Sequence, residues 1–231
     1  HTKQKNCIRI LLFDRSMLLH HWCFASNFFC HKDRVGKRTK IRNPAYLRLM
    51  RKLQLEELGR KSIEELRDLK KTPIIVVLEN IRSAYNVGSV FRTGDAFLIE
   101  AIYLVGYTAF PPHKEIRKTA LGAEDSVSWL HFKTMEEAIL SIRPKGYKIV
   151  AAEQTDTSIP LHQLGEVEND GMAIIFGNEV SGVELSTLEQ CDAVVEIPQL
   201  GMKHSLNIST AAGVVLWELV RKKIKTSLSN A

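Results

Sequence analysis

No apolar run in this 231-residue chain approaches the roughly 20 residues needed to span a bilayer. Ile8 to Phe13 is short, and Met17 to Phe29 is broken by His20, His21 and Asn27. No small-residue cleavage site follows a single apolar core, so a secretory leader is not expected. Cysteine is scarce, four residues, with three of them (Cys7, Cys23, Cys30) before residue 50. Cys23 and Cys30 have no CxxC partner, and with His20, His21 and His31 they match no dependable zinc spacing, so no metal is expected. Cys191 reads as a core residue. This cysteine usage suits a reducing cytoplasm. Phosphate cradles are missing too: there is no GxGxxG after the first strand and no GxxxxGK[ST], which argues against dinucleotide and nucleotide-phosphate loops. GxSxG and HExxH are also absent.

What is present begins with an uneven charge. The net charge is +6, yet residues 1–49 hold 11 Lys/Arg against 2 Asp/Glu, and residues 50–231 hold 21 against 24. The basic excess is confined to the first fifth. It suits a phosphate-binding arm or a segment outside the folded unit. The chain does not begin with Met, and a clean helical pattern starts just after Met50. The expectation is that 1–49 form a basic extension, poorly ordered or not native, followed by a helical leader over 50–72 and a main domain over 73–231.

From Leu47 to Lys70, Leu49, Leu53, Leu55, Leu58, Ile63, Leu66 and Leu69 recur at helical steps. Gly59 divides two helices, and Ser62 with Glu65 forms a capping box for the second. After Pro73 the pattern alternates. Strands are expected at Ile74–Leu78, Ala101–Val105, Val127–Phe132, Tyr147–Ala152, Met172–Phe176 and Ala193–Ile197. Helices are expected at Tyr85–Phe97, Glu115–Leu121, Met135–Ile142, Leu185–Cys191 and Leu206–Lys223. This is an α/β chain with a mostly parallel sheet and helices on both faces. Ligands of such sheets bind beyond the carboxyl ends of strands, which directs attention to the loops 79–85, 153–160, 177–182 and 198–205.

Three motifs lie on these loops. Asn86-Val-Gly88-Ser-Val-Phe-Arg92 opens the first helix, with Gly88 and Arg92 on one face and Gly88 leaving space beside the guanidinium. Read alone, it is equally a cap, a packing glycine and a solvated arginine. Ile174-Ile-Phe-Gly177-Asn-Glu179-Val-Ser-Gly182 is a buried strand ending in a glycine loop with one carboxylate. Alone it is an ordinary tight turn. Ile197-Pro198-Gln-Leu-Gly201-Met-Lys-His-Ser205-Leu206-Asn207-Ile-Ser209 crowds three polar residues at a helix start, more than capping needs.

In this order and spacing the motifs resemble the SpoU/TrmH class of the SPOUT RNA methyltransferases, over residues 73–223. The resemblance implies an α/β sheet whose C-terminal segment, from Gly177 onward, forms a trefoil knot. It implies S-adenosylmethionine held bent in the knotted loops, with Ala152, Gly177, Ile197 and Leu206 at the contacting positions. It implies a homodimer whose active site is completed near the subunit boundary, and methyl transfer to a ribose 2′-hydroxyl of tRNA or rRNA. In that scheme Arg92, a permanent cation, orients the hydroxyl and stabilises developing negative charge. Asn86 and Glu179 position Arg92, and Ser205 and Asn207 order the cleft. Two alternatives stay open: methylation of a base nitrogen on the same fold, and a catalytically silent RNA-binding protein. RNA contacts are expected from local patches, either Lys114, Arg117 and Lys118 or Arg51, Lys52, Arg60 and Lys61, with the loop 106–118 approaching the RNA.

Overall fold

The computed structural model describes residues 28–32, 38–42, 51–54, 57, 59, 61–164 and 171–229. Most of the basic segment 1–49, and Leu47, Leu49, Leu55 and Leu58 of the leader, lie outside them. The chain divides into two compact units, His1–Arg60 and Lys61–Ala231.

In the first unit β1 (Phe28–Lys32) and β2 (Arg38–Arg42) pair antiparallel, Phe28 opposite Arg42 and Lys32 opposite Arg38. This ribbon is not among the elements expected from the sequence. Residues 51–54, inside the helix expected of the leader, are not helical. The Glu57 carboxylate accepts both Arg51 guanidinium nitrogens, each at 2.7 Å, and the Gln54 N–H at 2.7 Å, which closes a local turn instead. Leu53 is 59% exposed. A short helix that buries nothing is marginal in water.

The second unit opens with α1 (Ile63–Asp68), started by the expected capping box: Ser62 accepts the Glu65 N–H and Glu65 accepts the Ser62 N–H. There follow β3 (Thr72–Glu79), α2 (Ala84–Ala96), β4 (Ile99–Val105), α3 (Lys114–Ala120), α4 (Ala123–Ser126), β5 (Ser128–Phe132) and α5 (Met135–Ile142). The chain continues through β6 (Lys148–Ala152), β7 (Ile159–Pro160), β8 (Met172–Phe176), α6 (Leu185–Leu188), β9 (Ala193–Glu196) and α7 (Ile208–Ser229). Pro73, expected to close the leader, lies inside β3. Among the described residues no helix is long and apolar enough to cross a membrane.

Seven strands, all parallel, lie in the order β5-β4-β3-β8-β6-β9-β7. Side chains alternate between the faces. Ile74, Val76 and Leu78 of β3 pack with Val87, Phe91, Ile116, Val215 and Leu216 of α2, α3 and α7. Ile75 and Val77 pack with Met135, Ala138, Ile139 and Ile142 of α5. Burying one such aliphatic side chain contributes roughly 1.5–3 kcal/mol, so β3, apolar throughout and covered on both faces, anchors the sheet. β7 is two residues long and ends in Pro160 on the sheet edge, where a missing donor costs no ladder bond.

The order of strands matters for the site. The chain builds β3, β4 and β5 outward, crosses back to lay down β6, and then inserts β8 between β3 and β6. The carboxyl ends of β3, β8, β6 and β9 therefore meet where the winding reverses, the position at which open α/β sheets bind ligands.

Gly88 is a packing glycine, one of the readings its motif allows. A Cβ there would fall within 3.0 Å of the Ile116 carbonyl and the Thr119 hydroxyl. The glycine lets α2 lie against α3. Gly88→Ala is expected to lower stability by about 1–3 kcal/mol, the usual cost of overpacking, read as a lower urea midpoint. An unchanged midpoint would show that the α2–α3 contact is looser than its geometry.

Candidate active site

At the carboxyl ends of β6, β8 and β9 lies a cavity of about 400 Å³. Ala152, Gly177, Ile197 and Leu206, the four positions singled out for the methyl donor, all line it. So do Glu179, Ser205 and Asn207. Three stretches far apart in sequence, around 152–154, 176–182 and 195–211, are thus brought to one recess. The volume is within the roughly 300–1,000 Å³ of small-molecule and cofactor sites.

Local hydrogen bonds shape the loop after β8. Asn178 and Gly182 exchange backbone bonds, 3.0 Å and 2.9 Å, and Asn178 Oδ1 accepts the amides of Val180 and Ser181. The loop is tied to its neighbours by Asn178 Nδ2, which donates to the Asn80 carbonyl and to Tyr107 Oη, and by Glu153, whose carboxylate accepts the Val183 N–H at 3.0 Å. Below it, buried Glu79 accepts from Thr187 Oγ1 and the Glu184 N–H. Burial pushes the Glu79 carboxyl up, and these two donors pull it back only in part. Glu153 and Asn178 are site residues that the motif reading did not select. The signal for Glu153 was its place, directly after β6 in a loop already marked by topology.

The three motifs meet through side chains. Asn86 Nδ2 donates to Glu179 Oε1 at 3.0 Å, and Asn86 Oδ1 accepts from Asn207 Nδ2 at 3.1 Å. Asn86 is free for this because Ser83, not Asn86, caps α2. Glu179 also accepts the amides of Arg82, at 2.9 Å, and Ser83, at 3.2 Å. Burial pushes its carboxyl up, but the Arg82 amide, the Asn86 side chain and the Ser83 amide outweigh that, and the group stays below the usual carboxylate range. It is a fixed negative charge at the start of α2. Asn207 faces both ways: its Oδ1 accepts the Ser209 N–H at 2.9 Å, which makes it the cap of α7, while its amide holds Asn86.

Arg92 is placed apart from this recess. Two helical turns along α2, it lines a separate groove of about 650 Å³ with Ser89, Thr93, Lys118, Thr210 and Gly213. Among the described residues it has no ion-pair partner. Asn86 and Glu179 are bonded to each other and make no bond to the guanidinium. Among the described residues no group of three or more His, Cys, Asp or Glu side chains could hold a metal.

The model of the SpoU rRNA methylase family matches residues 73–217. Among curated proteins, the chain is 27% identical over 170 residues to the 23S rRNA (guanosine-2′-O-)-methyltransferase RlmB of Vibrio parahaemolyticus, covering 73% of this chain and 67% of that protein. It is 29% identical over 171 residues to the protein of that name from Haemophilus ducreyi, covering 73% and 68%. Among solved structures, an AdoMet-bound rRNA methyltransferase from Sinorhizobium meliloti superposes with a TM-score of 0.62 at 28% identity, over 68% of this chain and 60% of that one. The A. aeolicus TrmH/SpoU tRNA modifying enzyme shares the fold, with a TM-score of 0.63 at 24% identity over 71% and 84%. The chain thus spans about two thirds of the length of those curated relatives. With the family model covering the sheet, the cavity and all three motifs, the chain belongs to the SpoU rRNA methylase family.

Proposed function

We propose that the protein is an S-adenosylmethionine-dependent methyltransferase that acts on a ribose 2′-hydroxyl of RNA, with ribosomal RNA as the substrate class. The observation that carries this is the convergence of Ala152, Gly177, Ile197 and Leu206 on one cavity beside Glu179, Ser205 and Asn207.

The residues present fit the cofactor. Phe176, Val195, Ile197 and Leu206 give the cavity apolar walls, and Glu153, Glu179 and Glu196 line it with carboxylates that favour a cation. When bound, S-adenosylmethionine supplies an electrophilic methyl group on its sulfonium. Gly177 lets the loop after β8 close tightly enough to shape the recess, and Glu153 and Asn178 hold it there. Ser205 and Asn207 order the opposite rim. Arg92 orients the ribose hydroxyl and stabilises the negative charge that develops on its oxygen. Asn86 and Glu179 fix the start of α2, and so set Arg92 through the helix rather than by contact.

The protein works as a homodimer whose active site is completed at the subunit boundary. The separation of Arg92 from the cofactor cavity within one chain supports this, because a second protomer can bring the two recesses together. The segment from Gly177 onward forms a C-terminal trefoil knot, a reading supported by the insertion of β8 and β9 between strands laid down earlier. The catalytic domain covers 73–231, the leader 50–72 and the basic extension 1–49. The protein needs no metal and resides in the cytoplasm.

The test is methyl transfer from labelled S-adenosylmethionine into ribosomal and transfer RNA, followed by nuclease digestion. Label in a 2′-O-methyl nucleotide is expected. Label on a base nitrogen would replace the ribose chemistry, and cofactor binding without any transfer would favour a silent RNA-binding protein.

A further inference from the structure

The groove that holds Arg92 contains a second cation, outside the three motifs but within the patch of Lys114, Arg117 and Lys118 expected to meet RNA. Lys118, from α3, lines the same recess between α2, α3 and the start of α7. The groove's lining includes no carboxylate. Elsewhere in this unit Arg117, Arg143 and Lys145 each reach an Asp or Glu. Among the described residues neither Arg92 nor Lys118 does.

Lys118 is also held in place. Its Nζ donates to Tyr85 Oη at 3.3 Å and lies 5.7 Å from the centroid of the Tyr85 ring. The two distances together put the ammonium at the phenol end of Tyr85, held by its hydroxyl. Tyr85, Ser89 and Arg92 share one face of α2 at helical spacing, so the ring that carries Lys118 rises from the same helix as Arg92. Four of the five hydroxyls in the groove, all but that of Thr210, donate within the protein. Ser89 Oγ donates to the Tyr85 carbonyl, Thr93 Oγ1 to the Ser89 carbonyl, Thr119 Oγ1 to the Tyr85 carbonyl and Ser209 Oγ to Asn207 Oδ1. These hydroxyls form a wall whose protons are already used. The positive charge of the groove rests on Arg92 and Lys118, which line it from different helices, Lys118 also bordering the neighbouring recess of Glu124 and Asp125.

Two unneutralised cations in a recess without carboxylates fit an anion, and the anion that RNA presents beside every ribose is its phosphodiester. We propose that Lys118, seated on Tyr85, binds a backbone phosphate of the substrate RNA next to the ribose that Arg92 addresses. The inference rests on the reading of the protein as an RNA ribose methyltransferase and adds the residue that sets the register of the strand against Arg92. Lys118 is a positioning residue: it holds the backbone and leaves the chemistry to Arg92. A phosphate contact carries no base information, so Lys118 contributes equally to all sequences.

The experiment compares full-length wild type, Lys118→Ala and Lys118→Arg. Affinity for an end-labelled single-stranded RNA oligonucleotide is measured across a salt series. S-adenosylmethionine affinity is measured by calorimetry, and KM for RNA and kcat are measured separately. Neutralising one contact on a single strand should make the slope of log K against log salt shallower by about 0.7. Lys118→Ala is expected to show that change, a roughly three- to ten-fold loss of RNA affinity at low salt and a matching rise in KM. Cofactor affinity should be unchanged, and Lys118→Arg should restore the slope. An unaltered slope and KM in Lys118→Ala would overturn the proposal, as would loss of cofactor binding in that variant. Failure of the methyltransfer reading is distinct: wild type would bind RNA with the full slope, Lys118→Ala would still bind with the shallower one, and neither would transfer a methyl group.

Discussion

Arg92→Ala is expected to lower methyl transfer by about 10²–10³-fold, the usual effect of removing a group aimed at developing oxyanion charge, while S-adenosylmethionine affinity stays within about two-fold of wild type. The two halves of this expectation come from separate observations. Arg92 does not line the cofactor cavity, so truncating it leaves that lining intact. It has no carboxylate partner among the described residues, so truncation strands no buried charge and the thermal midpoint should hold. The effect should therefore fall on kcat, the signature of an interaction made in the transition state. Arg92→Lys keeps the charge but loses the planar fork, and it should recover only a small part of the rate. Parallel kcat and KM measurements with calorimetry for the cofactor decide the matter. A variant that turns over at the wild-type rate would remove Arg92 from the chemistry. One that loses cofactor affinity in step with activity would place the residue in the methyl-donor site.

The sheet was legible because its strands are buried on both faces. Ile74–Leu78 and Met172–Phe176 are unbroken apolar runs, and nothing else fits such runs between helical stretches. Their lateral order was not legible. That β8 lies between β3 and β6 depends on pairings between residues 98 positions apart, Ile74 with Met172, and 24 apart, Lys148 with Met172, and no local pattern encodes them. β7 is too short for periodicity, and α4 is a single turn. The four positions expected to meet the cofactor came from the family resemblance; Ala152, Gly177 and Ile197 sit at strand ends, and Leu206 lies just ahead of α7. The relation of Arg92 to them could not be named in advance: a seven-residue motif places Asn86 and Arg92 on one helix but does not say that Asn86 bonds to Glu179 and Asn207 while Arg92 lines a separate groove. Gly88 shows the same limit. Its spacing to Arg92 suggested a shared purpose, while its contact is with the Ile116 carbonyl across the helix pair. Lys118 and Tyr85 are 33 residues apart in sequence, and only the packing of α3 on α2 joins them.

Gly177→Ala should do the greatest damage at the cofactor end of the site. A Cβ at this position would fall within 3.0 Å of the Gly182 carbonyl carbon and oxygen and the Val183 nitrogen. All three are backbone atoms, so no side chain can rotate away. The backbone that would have to move is pinned on several sides. Asn178 and Gly182 exchange their backbone bonds, Asn178 Oδ1 holds the amides of Val180 and Ser181, and Glu153 holds the Val183 N–H. Opening the loop for one methyl group breaks several of these bonds at once, each contributing about 0.5–1.5 kcal/mol, with the charged Glu153 bond at the upper end or above. The expected result is a loss of about two orders of magnitude in S-adenosylmethionine affinity, with a stability decrease of about 1–3 kcal/mol from overpacking. Gly201→Ala is the matched control. It belongs to the third motif, in a loop near the same cavity, but an added Cβ there meets nothing within 4 Å. Gly182→Ala should fall between the two, since its φ of +72° disfavours any side chain but the nearest atom is the end of the Glu153 carboxylate, which can swing. Calorimetric affinity for the cofactor and urea midpoints should therefore rank Gly177→Ala worst, Gly182→Ala next and Gly201→Ala equal to wild type. If Gly177→Ala binds the cofactor normally, the tight closure of the loop after β8 is not what shapes the recess. The cofactor would then have to be held chiefly by the rim at Ile197 to Asn207.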